Sequence, residues 1–272
     1  MEVNAADVKK LRDRTGMQMM KCKAALIEAG GDMDKATEIL RKQNKDVAAK
    51  VTDRETAEGR ISVFIDAQAK IGTIVEVRCE SAPVAKNEIF VKLANSIAEH
   101  LARNPSLASP ADLQTQMTAP IQDVVGLMRE NIKVQRMAIL HGLLGQYIHH
   151  DGTVGVLLSV DGATGDTQML RDVCMHVAAK NPLAATRDQI PQAVVEKERE
   201  IAVAQAQEQG KNKPANIIEK IAEGKLNAWF KDQVLSEQPF VKDESKTVAE
   251  LLKSGGMTLK GFVRYKVGEV TA

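Results

Sequence analysis

The chain has 272 residues, enough for two or three domains and a sizeable core without staples. Its 37 basic and 36 acidic residues leave a net charge of +1, and aromatics are only 3%, so there is neither an electrostatic case for nucleic acid nor a base-stacking platform. Three scattered cysteines (Cys22, Cys79, Cys174) without a CxxC exclude a disulfide framework and a thiolate zinc site.

Residues 1–43 read as a three-helix unit. Val8 and Leu11 share a face of the first helix, and Thr15-Gly16 breaks it. Cys22, Ala25, Leu26 and Ala29 mark the second, which Gly30-Gly31 ends. Asp32 caps a third helix with Ala36, Ile39 and Leu40 inside. Residues 44–60 are polar, lack a long apolar stripe and read as a linker open to partial helix.

The pattern then changes. Residues 61–65 and 71–79 are β-branched and partly alternating, joined by the polar DAQAK as a hairpin. Asn87 caps a helix whose stripe is Phe90, Leu93, Ala94, Ile97, Ala98 and Leu101, stopped by Pro105. Ser109-Pro110 restarts helical sequence, and Ile121, Val124, Val125 and Met128 mark a further helix. Strands follow at 132–140, 144–149 and 154–160, the last two joined by the turn His150-Asp151-Gly152-Thr153. Leu170, Val173, Cys174 and Val177 face one way along a helix that Pro182 ends.

An internal repeat links these stretches. IGTIVEV (71–77) matches VGVLLSV (154–160) at an offset of 83, and LANSIAEHLARNP (93–105) matches LRDVCMHVAAKNP (170–182) at an offset of 77. The first half therefore carries six extra residues between strand and helix, within SAPVAKNEIF. Residues 191–235 read as a protruding helical hairpin. Its first arm is marked by Val194, Val195, Ile201 and Ala202, its turn by residues 210–214, and its second arm by Ile217 to Phe230. A short helix (Val248, Leu251, Leu252) and a strand (261–267) close the chain.

The fold class is thus α+β: a three-helix unit over 1–43, a linker over 44–60, and two related antiparallel subdomains over 61–140 and 141–272, the second including the hairpin 187–236. No Gly-x4-Gly-Lys-Ser/Thr loop, Gly-x-Gly-x-x-Gly, nucleophile elbow or His-Glu-x-x-His occurs, so no direct nucleotide binding, cofactor, metal or catalytic residue is expected. His141, His149 and His150 beside Asp151 read as a solvated turn, and Glu196, Glu198 and Glu200 as a solvated helix face. No run approaches the roughly 18 apolar residues of a membrane span, and the N-terminus has no apolar signal core, which points to the cytoplasm.

LRDRTGMQMMKCKAAL (11–26), GGDMDKATEILR (30–41), VEVRCESAPVAKNEIF (75–90), MHVAAKNP (175–182), residues 213–252 and FVRYKVGE (262–269) resemble, in order, the motifs of the elongation factor Ts family. The resemblance implies an N-terminal domain like ubiquitin-associated domains, a two-part core and a helical hairpin. It implies exchange of guanine nucleotide on elongation factor Tu, not enzymatic chemistry, through contacts with that partner's GTPase domain and a distal β-domain. Met19 and Met20 match positions that pack on the GTPase domain, and His176 one that touches the distal domain. Ser81, Ala82, Pro83 and Val84 match the loop whose Asp-Phe tip acts as a wedge, disturbing the magnesium site and phosphate loop. Here that tip reads Ala82-Pro83, without carboxylate or ring. Pro83 is expected to hold Ala82 extended, and Phe90 to belong to the core. A binding or chaperone role on elongation factor Tu is the alternative that the altered tip leaves open.

Overall fold

A computed structural model describes residues 3–162, 166–210 and 214–269. Helices α1 (Ala5–Thr15), α2 (Met19–Glu28) and α3 (Met33–Val51) open it. Asn4 caps α1 by accepting from the Ala6 amide, and Asp32 caps α3 by accepting from the amides of Asp34 and Lys35. Gly16 ends α1 at φ 69°, a conformation open to glycine at little cost. Leu11, Cys22, Leu26, Ala36 and Leu40 form a closed small core between the three.

The linker expected over 44–60 is helical for its first half, because α3 runs on to Val51. Its sequence looks polar because the inner face serves two neighbours. Asn44 is buried and donates to Asp123 at 3.2 Å, while Val47, Ala48 and Val51 pack on the core of the next unit. Only residues 52–57 are irregular.

The first sheet has the order β1 (Glu58–Asp66), β2 (Ile71–Cys79), β3 (Lys133–His141), all antiparallel. Between β2 and β3 come α4 (Ala82–Ala85), α5 (Glu88–Arg103), α6 (Pro110–Gln116) and α7 (Thr118–Met128). Asn87 accepts from the Ile89 amide and Ser109 from that of Asp112, the two caps their positions predict. The α5 stripe from Phe90 to Leu101 lies on β2, with α6 and α7 completing the core.

The second half runs β4 (Leu143–Ile148), β5 (Val154–Gly162), α8 (Thr167–Lys180), the hairpin arms α9 (Gln192–Gln209) and α10 (Ala215–Gln233), a small ladder β6 (Pro239–Phe240) and β7 (Asp243–Thr247), α11 (Val248–Ser254) and β8 (Met257–Lys266). Its sheet has the order β4-β5-β8. The ladder leaves no trace in the sequence pattern, since β6 has only two residues and β7 is polar. The hairpin turn at Lys211–Lys213 lies outside the described residues. The arms meet through Ala202, Ala206 and Ala222, backed by Ile218 and Ile221, whereas Val194 and Ile201, which mark the first arm in sequence, are exposed.

The repeat is therefore hairpin, helix, third strand, with β2 and β5 as matching central strands. Register with the third strand shifts at the same step in both, between Glu76 and Val77 and between Ser159 and Val160, with the extra residue on β3 and on β8. Both central strands carry a glycine at the same place, Gly72 and Gly155, and these let the two sheets pack face to face. A Cβ at Gly72 would stand 2.9 Å from Leu157, and one at Gly155 would overlap Ile61. Ile61, Ile74, Leu157 and Tyr265 fill the seam, and the Ile61 amide donates to the Gly152 carbonyl at 2.8 Å.

One charged group sits in this seam. Glu76 has no exposed surface and accepts from Arg78 at 2.8 Å, from Arg136, and from the Gly268 amide at 3.2 Å. Arg136 also donates to the Lys266 carbonyl at 2.8 Å, tying the last strand to the first sheet.

Two alanine substitutions should therefore act with opposite sign. Gly155→Ala crowds Ile61 and should destabilise by about 1–3 kcal/mol. Gly224→Ala, inside α10 with open space at its Cβ position, should stabilise by about 0.5–1 kcal/mol. Urea unfolding of each variant measures both.

Candidate partner-binding site

The extra residues of the first half form a short projecting turn. Ser81 is extended (φ −129°, ψ 149°) and Ala82–Ala85 make one helical turn, closed by the Ala85 amide on the Ser81 carbonyl at 3.1 Å and the Lys86 amide on the Ala82 carbonyl at 3.2 Å. Pro83 stands exposed in that first turn, where its missing N–H costs no bond. The expectation that Pro83 holds Ala82 extended is thus corrected by one residue: Ser81 is the extended one. The closing hydrogen bonds and burial of Ala85, with Val84 packed beside it, outweigh the local steric bias. Phe90 is wholly buried, as its place on the stripe requires.

The base of the turn is clasped from across the unit. Glu130 accepts from the Glu80 amide at 3.1 Å, the Ser81 amide at 3.0 Å and the Ser81 hydroxyl at 2.5 Å. The Asn131 amide donates to Glu80 at 2.7 Å, and its side chain donates to the carbonyls of Thr52 and Arg54 at 2.9 and 2.8 Å. Arg54 lies 3.5 Å from Glu80. Burial, reinforced by the Glu130 charge, pushes the Cys79 thiol up to about 12, so it is inert at neutral pH and merely donates to the Ser81 carbonyl.

A second surface lies on α2. Met19 is 43% exposed, Met20 74% and Ile27 56%, so neither member of the methionine pair fills the core. Met17 does that instead, at 2%. Met20, Lys23, Ala24 and Ile27 share helical spacing on the face opposite the core stripe. Sequence reasoning passes over Ile27. Its one signal is its place next to Leu26, a step off the inward stripe. This surface is fixed to the first subdomain: Leu127 of α7 backs Gly16, and Asn44 bonds Asp123. Burial and then the Arg129 charge lower the pKa of Lys21, at the start of α2.

His176 is different. It has no exposed surface. One ring nitrogen accepts from the Val241 amide at 3.2 Å, so the other carries the proton and donates to the Gln238 amide oxygen at 2.8 Å. Burial, with Lys180 nearby, lowers its pKa, partly offset by the Gln238 bond, and the neutral ring is the form this clasp needs. The expected surface contact at His176 is therefore corrected: its side chain is enclosed because one nitrogen holds Val241 in the β6–β7 turn and the other holds Gln238 just before β6. Val241, exposed at 38%, is the residue this arrangement presents outward.

Of the other histidines, His149 and His150 lie ring to ring, with centroids 4.3 Å apart, and His141 lies elsewhere. His149 bonds the Tyr147 hydroxyl at 3.0 Å, Asp151 is occupied by Thr153, and His141 lies on β3 opposite Ile71. Among the described residues no group of three or more His, Cys, Asp or Glu could hold a metal ion, and no helix is long and apolar enough to cross a membrane. A groove beside the edge strands β1 and β4, lined by Phe64, Leu144, Tyr147 and Arg171, holds none of the predicted residues.

A family model for elongation factor TS matches residues 80–269, which include the turn, Glu130, the third strand of the first sheet, the whole second sheet and the hairpin arms. The chain is 41% identical to an elongation factor Ts from Thioalkalivibrio sulfidiphilus, over 99% of this chain and 93% of that protein. It is 41% identical to one from Azoarcus sp., over 98% and 91%, and 37% identical to one from Nitratidesulfovibrio vulgaris, over 100% and 98%. With so long a match at this identity, the chain belongs to the elongation factor Ts family.

Proposed function

We propose that this protein is a guanine-nucleotide exchange factor that binds elongation factor Tu and promotes release of GDP during translation elongation in the cytoplasm. The observation that carries the reading is the full-length match to elongation factors Ts, which includes the projecting turn. The α2 face with Met19, Met20 and Ile27 and the turn Ser81–Val84 are read as the surfaces that meet the GTPase domain. Methionine suits such a contact because its thioether chain is flexible and polarizable. The second subdomain, through the Val241 turn that His176 holds, is read as the contact with the distal β-domain.

Exchange makes and breaks no covalent bond on a small molecule, so the reading needs no nucleophile, cofactor, metal or nucleotide of the factor's own. It is a coupling of two binding equilibria. A factor that prefers the nucleotide-free partner must weaken GDP by the same factor, and a hundredfold weakening is about 2.7 kcal/mol of coupling. Disturbing the magnesium site removes charge that holds the β-phosphate. In this chain the turn would push with its backbone and the Pro83 ring rather than with an aromatic wedge. The altered tip favours one alternative, a binding or chaperone role on elongation factor Tu with weak exchange.

Stopped-flow release of fluorescent GDP from elongation factor Tu tests the reading. This protein should accelerate release at saturation, and GDP should weaken the factor's binding by the same factor by which the factor weakens GDP. Tight binding with unchanged release would leave only the alternative. A82D combined with P83F, which restores the wedge, should speed release further.

The α2 surface has its own test. M20A combined with I27A should raise the dissociation constant of the complex about tenfold to a hundredfold, as truncation of two apolar anchors does. Because both side chains are exposed, the urea midpoint of the free protein should not move. Calorimetric titration and urea unfolding measure the two.

A further inference from the structure

We infer that Glu130 is the positioning residue of the exchange turn, and that with Asn131 it joins the turn to the three-helix unit as one rigid body. The inference rests on the exchange reading above. Glu130 lies outside the turn, forty-six residues beyond Val84 in sequence, and is itself only part-buried.

Its carboxylate uses both oxygens on the root of the turn: two backbone amides on one and the Ser81 hydroxyl on the other. Bonds to an ionised acceptor are stronger than neutral ones, and here they fix the backbone just where the one-turn helix begins. The chain is aimed for this. Arg129, immediately before, ends α7 in the left-handed region at φ 59°, an uncommon conformation for a residue with a side chain. Such strain persists only where the surroundings hold it, and the adjoining Glu130 and Asn131 supply that hold through the clasp.

The clasp closes into a ring. Asn131 bonds Glu80 on one side and the Thr52 and Arg54 carbonyls, just past α3, on the other, and Arg54 turns back to Glu80. Segments 52–54, 80–81 and 130–131 are thereby locked together. Helix α3 carries the unit whose α2 face is the other proposed contact with the GTPase domain. A loose turn would yield when pressed on the partner, and its strain would be lost as loop motion. A turn clasped at its root transmits that strain. Glu130 thus acts on how hard the turn pushes, while the exposed residues of α2 set how tightly the factor holds.

The experiment compares Glu130→Ala and Glu130→Gln in the full chain. Glu130→Ala removes all three bonds; Glu130→Gln keeps the shape and an oxygen acceptor. The maximal rate of GDP release from elongation factor Tu should fall at least about tenfold in Glu130→Ala, which loses all three bonds. The half-saturating concentration should change less than about threefold, and Glu130→Gln should recover most of the rate. Hydrogen exchange on the free protein should show the amides of Glu80, Ser81 and Ala85 protected in the wild type and opened in Glu130→Ala. An unchanged maximal rate despite opened amides would overturn the inference, as would unprotected wild-type amides. If Glu130→Ala fails to fold, Ser81→Ala, which deletes one bond, must lower the maximal rate in the same sense or the inference falls. A wild-type protein that binds without accelerating release removes the exchange reading and this role with it, and the amide protection then reports separately whether the clasp exists.

Discussion

Glu76 is a carboxylate with no exposed surface, set where two sheets meet face to face, and it is held by Arg78, Arg136 and the Gly268 amide. Taking such charges out of water costs several kcal/mol per ion, repaid only when geometry and hydrogen bonding are nearly complete. That is why the arrangement specifies a docking rather than merely adding stability. Arg136 is used three ways at once: on Glu76, on the Lys266 carbonyl, and 4.4 Å above the Tyr265 ring. Both arginines lie on the same sheet as Glu76, so sliding the second sheet would leave the ion pairs whole but break the bonds to the Gly268 amide and the Lys266 carbonyl. An all-apolar seam would tolerate such a slide far better. The glycines at matched places in β2 and β5 allow the close approach that the charge network then fixes.

That fixed seam gives the two halves their unequal roles. With their central strands committed to each other, the outward elements are free to differ. In the first half the six extra residues became a clasped turn, and α7 became the shelf on which the three-helix unit sits through Asn44 and Leu127. In the second half the link from strand to helix is short, and the added length went into the hairpin and the β6–β7 turn held by His176. The bases of the outward features are anchored by polar side chains distant in sequence, Glu130 to Ser81, His176 to Val241 and Arg187 to Glu237.

Local chemistry carried much of this in legible form. Caps at Asn87 and Ser109 act within three residues of themselves, so their positions could be read directly. The offset between IGTIVEV and VGVLLSV marked matching strands because both meet the same demand at a shared seam. What was illegible depends on partners far along the chain. Whether His176 faces solvent or core is decided by Gln238 and Val241, which lie 62 and 65 residues away. The tail of α3 looked like a linker because its buried face belongs to two cores, so Asn44 reads as polar although it is 4% exposed. Glu130 carries no motif at all, and only the fold brings it to Ser81.

On the exchange reading, the turn would keep a use for its shape without the side chains of the family's wedge. A wedge built on an aromatic ring delivers its strain through one large side chain, and the loop behind it can be fairly soft. Ala82-Pro83 has no such side chain, so whatever it delivers must come from backbone position. Proline lowers the number of states the free turn can occupy, and preorganisation cuts the ordering cost at the moment of contact. Ala85 buried at one end and Ser81 clasped at the other leave Pro83 as the exposed crest of a short, doubly anchored turn. On the exchange reading, stiffness replaces reach. The demand on the anchor is then greater than in a ring-bearing relative, because backbone pressed against a partner cannot compensate for a root that gives way.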